Sequence, residues 1–342
     1  MVSIDDVARE AGVSTATVSR TLSGKNNVSA STRARVEAAV KSLGYSVSAS
    51  ASNLASGRTR TIGVIVPFLD RWFFTVILGG IAAALSREGY DITLYHVAGD
   101  TAHRRDILDG FLRRRRVDGI IAVSIELDER ETDGLLSLGI PVIAVGGPNP
   151  RIPTLSVDDV QLARLATEHL LTLGHERLAH IGADPDFDLD FHIPTRRWQG
   201  FLQALADAGI SPPPTHYEPA DFTVEGGYQA AKQLLGRPGA RPTAIFAASD
   251  EMAIGAILAA RDLGFRVPED MSVVGIDGHE LGGFFQLTTV DQFPARQGEH
   301  AAAAILDQLG TDRPLIQRRE DSPYELIVRG STARPSTMRD DG

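Results

Sequence analysis

The chain contains no cysteine among its 342 residues, which removes disulfides, thiolate metal ligands and thiol nucleophiles at one stroke. Aromatic residues are scarce at 6%, with two tryptophans, so any cluster of rings stands out. No apolar run approaches the roughly 20 residues of a membrane span, and the N-terminus lacks the apolar stretch of an export signal. The protein is therefore expected in the cytoplasm, without membrane contact. Chemical signatures are missing too. His169, His175 and His180 do not form a His-x-x-x-His pair with a Glu base, and Asp188 and Asp190 have no further carboxylates for a metal loop. Neither a Gly-x-Ser-x-Gly elbow nor a phosphate-binding glycine pattern occurs. No enzyme activity, metal or cofactor is expected.

What is present is uneven in charge. Up to residue 60 there are eight basic residues (Arg9, Arg20, Lys25, Arg33, Arg35, Lys41, Arg58, Arg60) and four acidic ones (Asp5, Asp6, Glu10, Glu37). That balance of +4, in a chain of net charge −10, leaves −14 for the remainder. A basic head on an acidic body gathers phosphate contacts at one end and resists non-specific binding at the other.

The head reads as three short helices. Ser3 can cap a first helix with Ile4, Val7, Ala8 and Ala11 on one face, and Gly12 ends it. Ser14 can cap a second that buries Val18 and Leu22 and leaves Thr15, Ala16, Thr17, Ser19 and Arg20 outside. Ser29 or Ser31 opens a third, burying Val36, Val40 and Leu43, with Gly44 suited to its left-handed end. Helix, glycine turn, serine-capped helix and supporting helix form the order of a module that reads the major groove. The candidate DNA contacts are Ser14, Thr15, Ala16, Thr17, Ser19, Arg20 and Ser29, followed by Leu54 and Ala55 at the end of an Ala/Ser-rich hinge.

The run Ile4 to Ser23, with Val28-Ser29, Leu43-Gly44-Tyr45 and Leu54-Ala55, resembles the head of the lactose-repressor/galactose-repressor family of bacterial transcription regulators. The resemblance implies that Thr15, Ala16 and Arg20 face base edges, an Arg being able to bond both acceptors of a guanine. It implies that Leu54 enters the minor groove as a wedge. One departure is visible: Ser46-Val47-Ser48 stands where the family carries a Pro-Asn-like pair, which obscures the start of the hinge helix.

Beyond the head, short apolar strands alternate with amphipathic helices in two series. The first holds strands at 61–67, 90–96, 118–124 and 141–145; the second holds strands at 177–183, 243–249 and 272–277. Such alternation predicts two parallel sheets covered on both faces, hence an α/β body of two lobes. The expected organisation is a DNA-binding domain over 1–45, a hinge over 46–60, a periplasmic-binding-protein-like body over 61–330 and a disordered tail over 331–342.

Ligands of such sheets bind beyond the carboxyl ends of the strands. The first strand leads into Phe68, Trp72 and Phe73, rings suited to the apolar faces of a sugar, and the second series brings Asp188 into the same census. The resemblance adds Arg197, Ser249 and Asp277 as effector contacts and Phe222 as a stacking ring. Sugar-binding relatives more often carry Asn at the position of Ser249. The function implied is a repressor-type regulator whose affinity for a palindromic double-stranded operator is set by a small effector, expected to be a sugar. Paired half-sites require a dimer, and the tail lacks the apolar heptads of a tetramerising coil. The body alone would also suit a solute receptor or a sugar-acting enzyme.

Overall fold

The computed structural model describes residues 2–22, 28–45, 58–97, 101–114, 116–183, 190–211, 213, 216–238, 241–310 and 319–336. It divides into two compact units, Met1–Arg60 and Thr61–Gly342.

The first unit holds helices α1 (Ile4–Ala11), α2 (Thr15–Leu22) and α3 (Ala30–Leu43). Their ends follow the sequence closely. Ser3 and Asp6 form a reciprocal capping box, and Ser29 Oγ accepts the Thr32 N–H at 3.3 Å. Gly12 (φ +64°) and Gly44 (φ +60°) close α1 and α3 in the left-handed region, where a side chain would be strained. Val7, Val18 and Val36 are fully buried and hold the three helices together. Thr21 and Ala39 are buried beside them, while Leu22, Val40 and Leu43 are only half-buried.

The second unit begins with β1 (Thr61–Val66), α4 (Trp72–Arg87), β2 (Asp91–His96), α5 (Thr101–Arg114), β3 (Gly119–Val123), α6 (Glu129–Leu136), β4 (Val142–Gly146) and β5 (Thr154–Ser156). It continues with α7 (Asp159–Thr172), β6 (Leu178–Ala183), α8 (Ile193–Asp207), β7 (Tyr217–Ala220), α9 (Val224–Gly236), β8 (Ala244–Ala247) and α10 (Asp250–Asp262). The last elements are β9 (Ser272–Asp277), α11 (Gly282–Phe285), β10 (Thr288–Asp291), α12 (Pro294–Gly310), β11 (Arg319–Asp321) and β12 (Glu325–Ile327).

Two six-stranded sheets result, ordered β11-β5-β4-β3-β1-β2 and β12-β10-β9-β8-β6-β7. Every pairing in the first is parallel. The second departs from the expected all-parallel sheet at one edge, where β12 runs antiparallel to β10. Alternation along β1 shows why both faces are covered: Ile62, Val64 and Val66 pack with Ile77, Ile81 and Ile305, whereas Ile65 packs on the opposite side with Leu108, Ile120 and Leu135.

The chain crosses between lobes three times, after β5, after β10 and after β11. Consequently α12, late in sequence, packs on α4 of the first lobe, and β11 returns to the first sheet. The boundary expected at residue 330 also moves. Ser331 is 1% exposed, its Oγ donates to the Val273 carbonyl, and the Ala333 N–H donates to Ser272 Oγ at 3.0 Å. Ser331 and Ala333 thus belong to the second lobe because the start of β9 supplies their hydrogen-bond partners; residues 337–342 lie outside the described residues.

Candidate functional site

In the head, the residues expected at DNA lie on one side of α2. Ser14, Thr15, Ala16, Ser19 and Arg20 are exposed and Thr17 half-buried, while Val18 points into the core. Ser14 caps the helix, its Oγ accepting the Thr17 N–H at 3.2 Å. The hydroxyl is thereby held at the helix start, where backbone N–H groups favour phosphate. Ser29 caps α3 and is also exposed. Leu54 and Ala55 lie outside the described residues.

In the body, strained backbone marks the cleft. Ser124 (φ +47°), Phe191 (φ +59°), Phe222 (φ +60°), Asp277 (φ +133°) and Phe293 (φ +51°) are non-glycine residues of positive φ, each beyond or at the carboxyl end of a strand. Such conformations cost free energy and persist where the surroundings impose them, commonly around ligands.

Arg197, on α8, is a buried cation of the second lobe. Its Nε donates to Asp159 Oδ1 at 2.9 Å, one Nη donates to the Ala248 carbonyl, and the same guanidinium lies 3.8 Å from Asp277 Oδ1. The pair does not span the cleft, as a structural ion pair between lobes would; both partners stand on the second lobe. Asp277 ends β9 and accepts a hydrogen bond from Gln292 Nε2 at 2.8 Å. Burial pushes its carboxyl well above the ordinary carboxylate range, Arg197 pulling it down and Asp250 and Glu251 adding to the rise. Asp250 is fully buried, and its Oδ2 accepts the His279 N–H at 2.7 Å. Burial raises its carboxyl to about 6. One guanidinium thus faces two carboxyls, Asp159 and Asp277, and a third, Asp250, acts on Asp277 from behind, a balance that suits a ligand bringing hydroxyl donors and disfavours an anionic one.

The remaining expected residues divide. Ser249 is buried, but its Oγ is engaged as the cap of α10, accepting the Met252 N–H at 3.3 Å. Phe222 is half-buried beside the α9–α10 core. Phe68 is half-buried, 5.6 Å from Phe74, and Phe73 packs against the first-lobe core. Trp72 instead reaches the other lobe, stacking on His279 at 4.4 Å between ring centroids. The Glu251 carboxyl, raised by burial, is pulled down by the Trp72 backbone N–H and by Arg71. Asp188 lies outside the described residues. Sequence reasoning missed Asp159, Gln292, His279 and Glu251, which join the site only through folding. Among the described residues no group of three or more acidic or histidine side chains is placed to hold a metal ion, and no helix is long and apolar enough to cross a membrane.

A groove-reading head and a two-lobed body with a polar interlobe site define a DNA-binding transcriptional regulator with a periplasmic-binding-protein-like ligand domain. Residues 3–48 match the bacterial regulatory proteins of the lacI family, and residues 167–332 match the periplasmic binding protein-like domain. The chain is 36% identical over 335 residues to the HTH-type transcriptional repressor CytR of Escherichia coli K12, spanning 96% of this chain and 95% of the relative. Its fold matches a lac repressor dimer bound to operator and an anti-inducer with a TM-score of 0.84 at 27% identity, covering 97% and 99% of the two chains. It also resembles the regulator CelR in its cellobiose complex, with a TM-score of 0.68 at 30% identity, covering 97% and 100%. The chain belongs to the lacI family of bacterial transcriptional regulators.

Proposed function

We propose that this regulator is a dimeric repressor whose hold on a palindromic operator is controlled by a neutral sugar bound between its lobes. The observation that carries the ligand class is the Arg197 guanidinium 2.9 Å from Asp159 and 3.8 Å from Asp277, with Trp72 and Phe68 at the first-lobe side. Carboxylates and a guanidinium form charge-assisted bonds to hydroxyls, and aromatic rings suit the apolar face of a sugar. The CelR complex with cellobiose supports a carbohydrate. Phosphorylated or carboxylated sugars are disfavoured because two carboxyls, Asp159 and Asp277, already face the Arg197 guanidinium.

Dimerisation follows from the two-fold operator, and the similar lac repressor is itself a dimer on its operator. Phe284, 85% exposed, with Leu281 and Val328 at 41% and 59%, gives the second lobe apolar surface that a second copy would cover. Calorimetry with a panel of neutral sugars, cellobiose and ribose among them, tests the ligand class. Binding of sugar phosphates in place of neutral sugars would overturn it.

A further inference from the structure

A ring of the second lobe lies against the backbone of the first. Phe191 lies two residues before the start of α8, and only 8% of its surface is exposed. An ideal Cβ placed on Gly147 would fall 1.9 Å from Phe191 Cδ1 and 2.2 Å from its Cγ, so the ring fills the space that any side chain at 147 would need. At Gly146 an ideal Cβ would lie 3.3 Å from Phe191 Cε2 and 3.2 Å from Ser124 Oγ. Gly146 ends β4 and Ser124 follows β3, the strand ends where a first-lobe ligand contact belongs. The Phe191 N–H donates across to Glu126 Oε2 at 3.0 Å.

The turn that delivers this ring is strained. Phe191 and His192 are successive left-handed residues at φ +59° and +51°, and His192 makes no side-chain cap on α8. Bulky side chains avoid that region unless tertiary contacts hold them there. Two of the holding contacts, the Gly147 slot and Glu126, are on the opposite lobe.

We propose that Phe191 is the gate of the effector site: its ring occupies the first-lobe half of the cleft, fastens the lobes, and must lift from Gly147 before an effector enters. The occupant also outlines its replacement. A ring-sized ligand with an apolar face over Gly147 and a donor on its edge for Glu126 reproduces both contacts. This inference rests on the effector-site reading above, but its test requires no effector.

Trp72 supplies the reporter, because its stack on His279 is itself a contact between lobes. In a Trp198→Phe background it is the sole tryptophan, and acrylamide quenching then reads its shielding. Phe191→Ala and Gly147→Ala should each raise the quenching constant several-fold. The double variant should do no more than either single one, since both break one contact. Unchanged quenching in Phe191→Ala overturns the gate and leaves the ring as ordinary packing. If Gly147→Ala loses its circular dichroism, Phe191→Ala alone decides, because truncation introduces no clash. Failure of the sugar reading would appear in calorimetry and leave this result untouched.

Discussion

Gln292 ties Asp277 to a crossing between the lobes. Its Nε2 donates to Asp277 Oδ1 at 2.8 Å, while its backbone carbonyl accepts Gln297 Nε2, from α12, at 2.7 Å. Gln292 stands where the chain leaves β10 of the second sheet for α12 of the first lobe. A ligand that engages Asp277 therefore acts on a residue continuous with one of the three lobe crossings, and differential contact of this kind is what a ligand-driven shift requires.

Cutting that tie should separate binding from response. Gln292→Leu keeps the volume roughly and removes the bond, so effector affinity should change by a few-fold at most while the change in operator affinity largely disappears. Couplings between sites usually amount to about 1–3 kcal/mol, the same range as the cost of one broken buried hydrogen bond. Parallel calorimetry and operator anisotropy check it; a normal operator response in the variant contradicts the route.

Arg197 and Asp277 should differ in their structural cost. Arg197→Ala removes the cation that faces Asp159 and Asp277 and should destabilise the body by about 3–5 kcal/mol, the usual cost of leaving buried charge unpaired. Asp277→Asn is nearly isosteric and deletes a carboxyl that burial already disfavours, so its urea midpoint should match or exceed the parent's. Equal, large losses in both variants would show that the pair is chiefly structural.

On the DNA side, Arg20 is the long donor of α2 and is exposed. Arg20→Ala should lose about 1–3 kcal/mol of operator affinity and relax preference at one base pair in each half-site. Uniform weakening on every sequence, with a shallower salt dependence, would make Arg20 a phosphate contact instead.

A pH effect should arise in the second-lobe core beneath Arg197. His180 is fully buried among Trp198, Phe201, Phe246 and Tyr217, with Nδ1 3.0 Å from the Phe246 carbonyl, and burial lowers its pKa from 6.5 to about 3. The unfolded chain takes up a proton at His180 that the folded one refuses, so this group's contribution to stability falls as pH drops from 6.5 towards 3. Asp250, raised to about 6, works in the opposite sense between 3.8 and 6, because there the folded state holds the proton. Comparison with His180→Phe isolates the histidine. The urea midpoint of the parent should fall relative to the variant as pH drops below 6.5; parallel curves would refute a buried neutral His180.

Much of this architecture is legible in the sequence because its signals are local. Ser3, Gly12, Ser14 and Gly44 mark helix ends by their own chemistry, and the apolar run Ile62 to Val66 announces a buried strand. The interleaving of the lobes is not legible, since nothing near Arg319 specifies pairing with Thr154, more than 160 residues earlier. The pocket follows the same division. Asp277 and Arg197 are found by resemblance, but Asp159 becomes a site residue only because α7 packs on α8, and Gln292 only because β10 lies beside β9. Ser331 looked like the start of a loose polar tail; its burial depends on partners at Val273 and Thr288.

The most direct measurement follows fluorescence anisotropy of a labelled palindromic operator, selected by this protein from random duplexes, with and without the sugar that calorimetry identifies. The parent's operator affinity should shift by roughly 5–150-fold, the span of a 1–3 kcal/mol coupling, while Asp277→Asn should bind the operator normally and show no shift. An Asp277→Asn protein that responds to the sugar as the parent does would contradict control through this site.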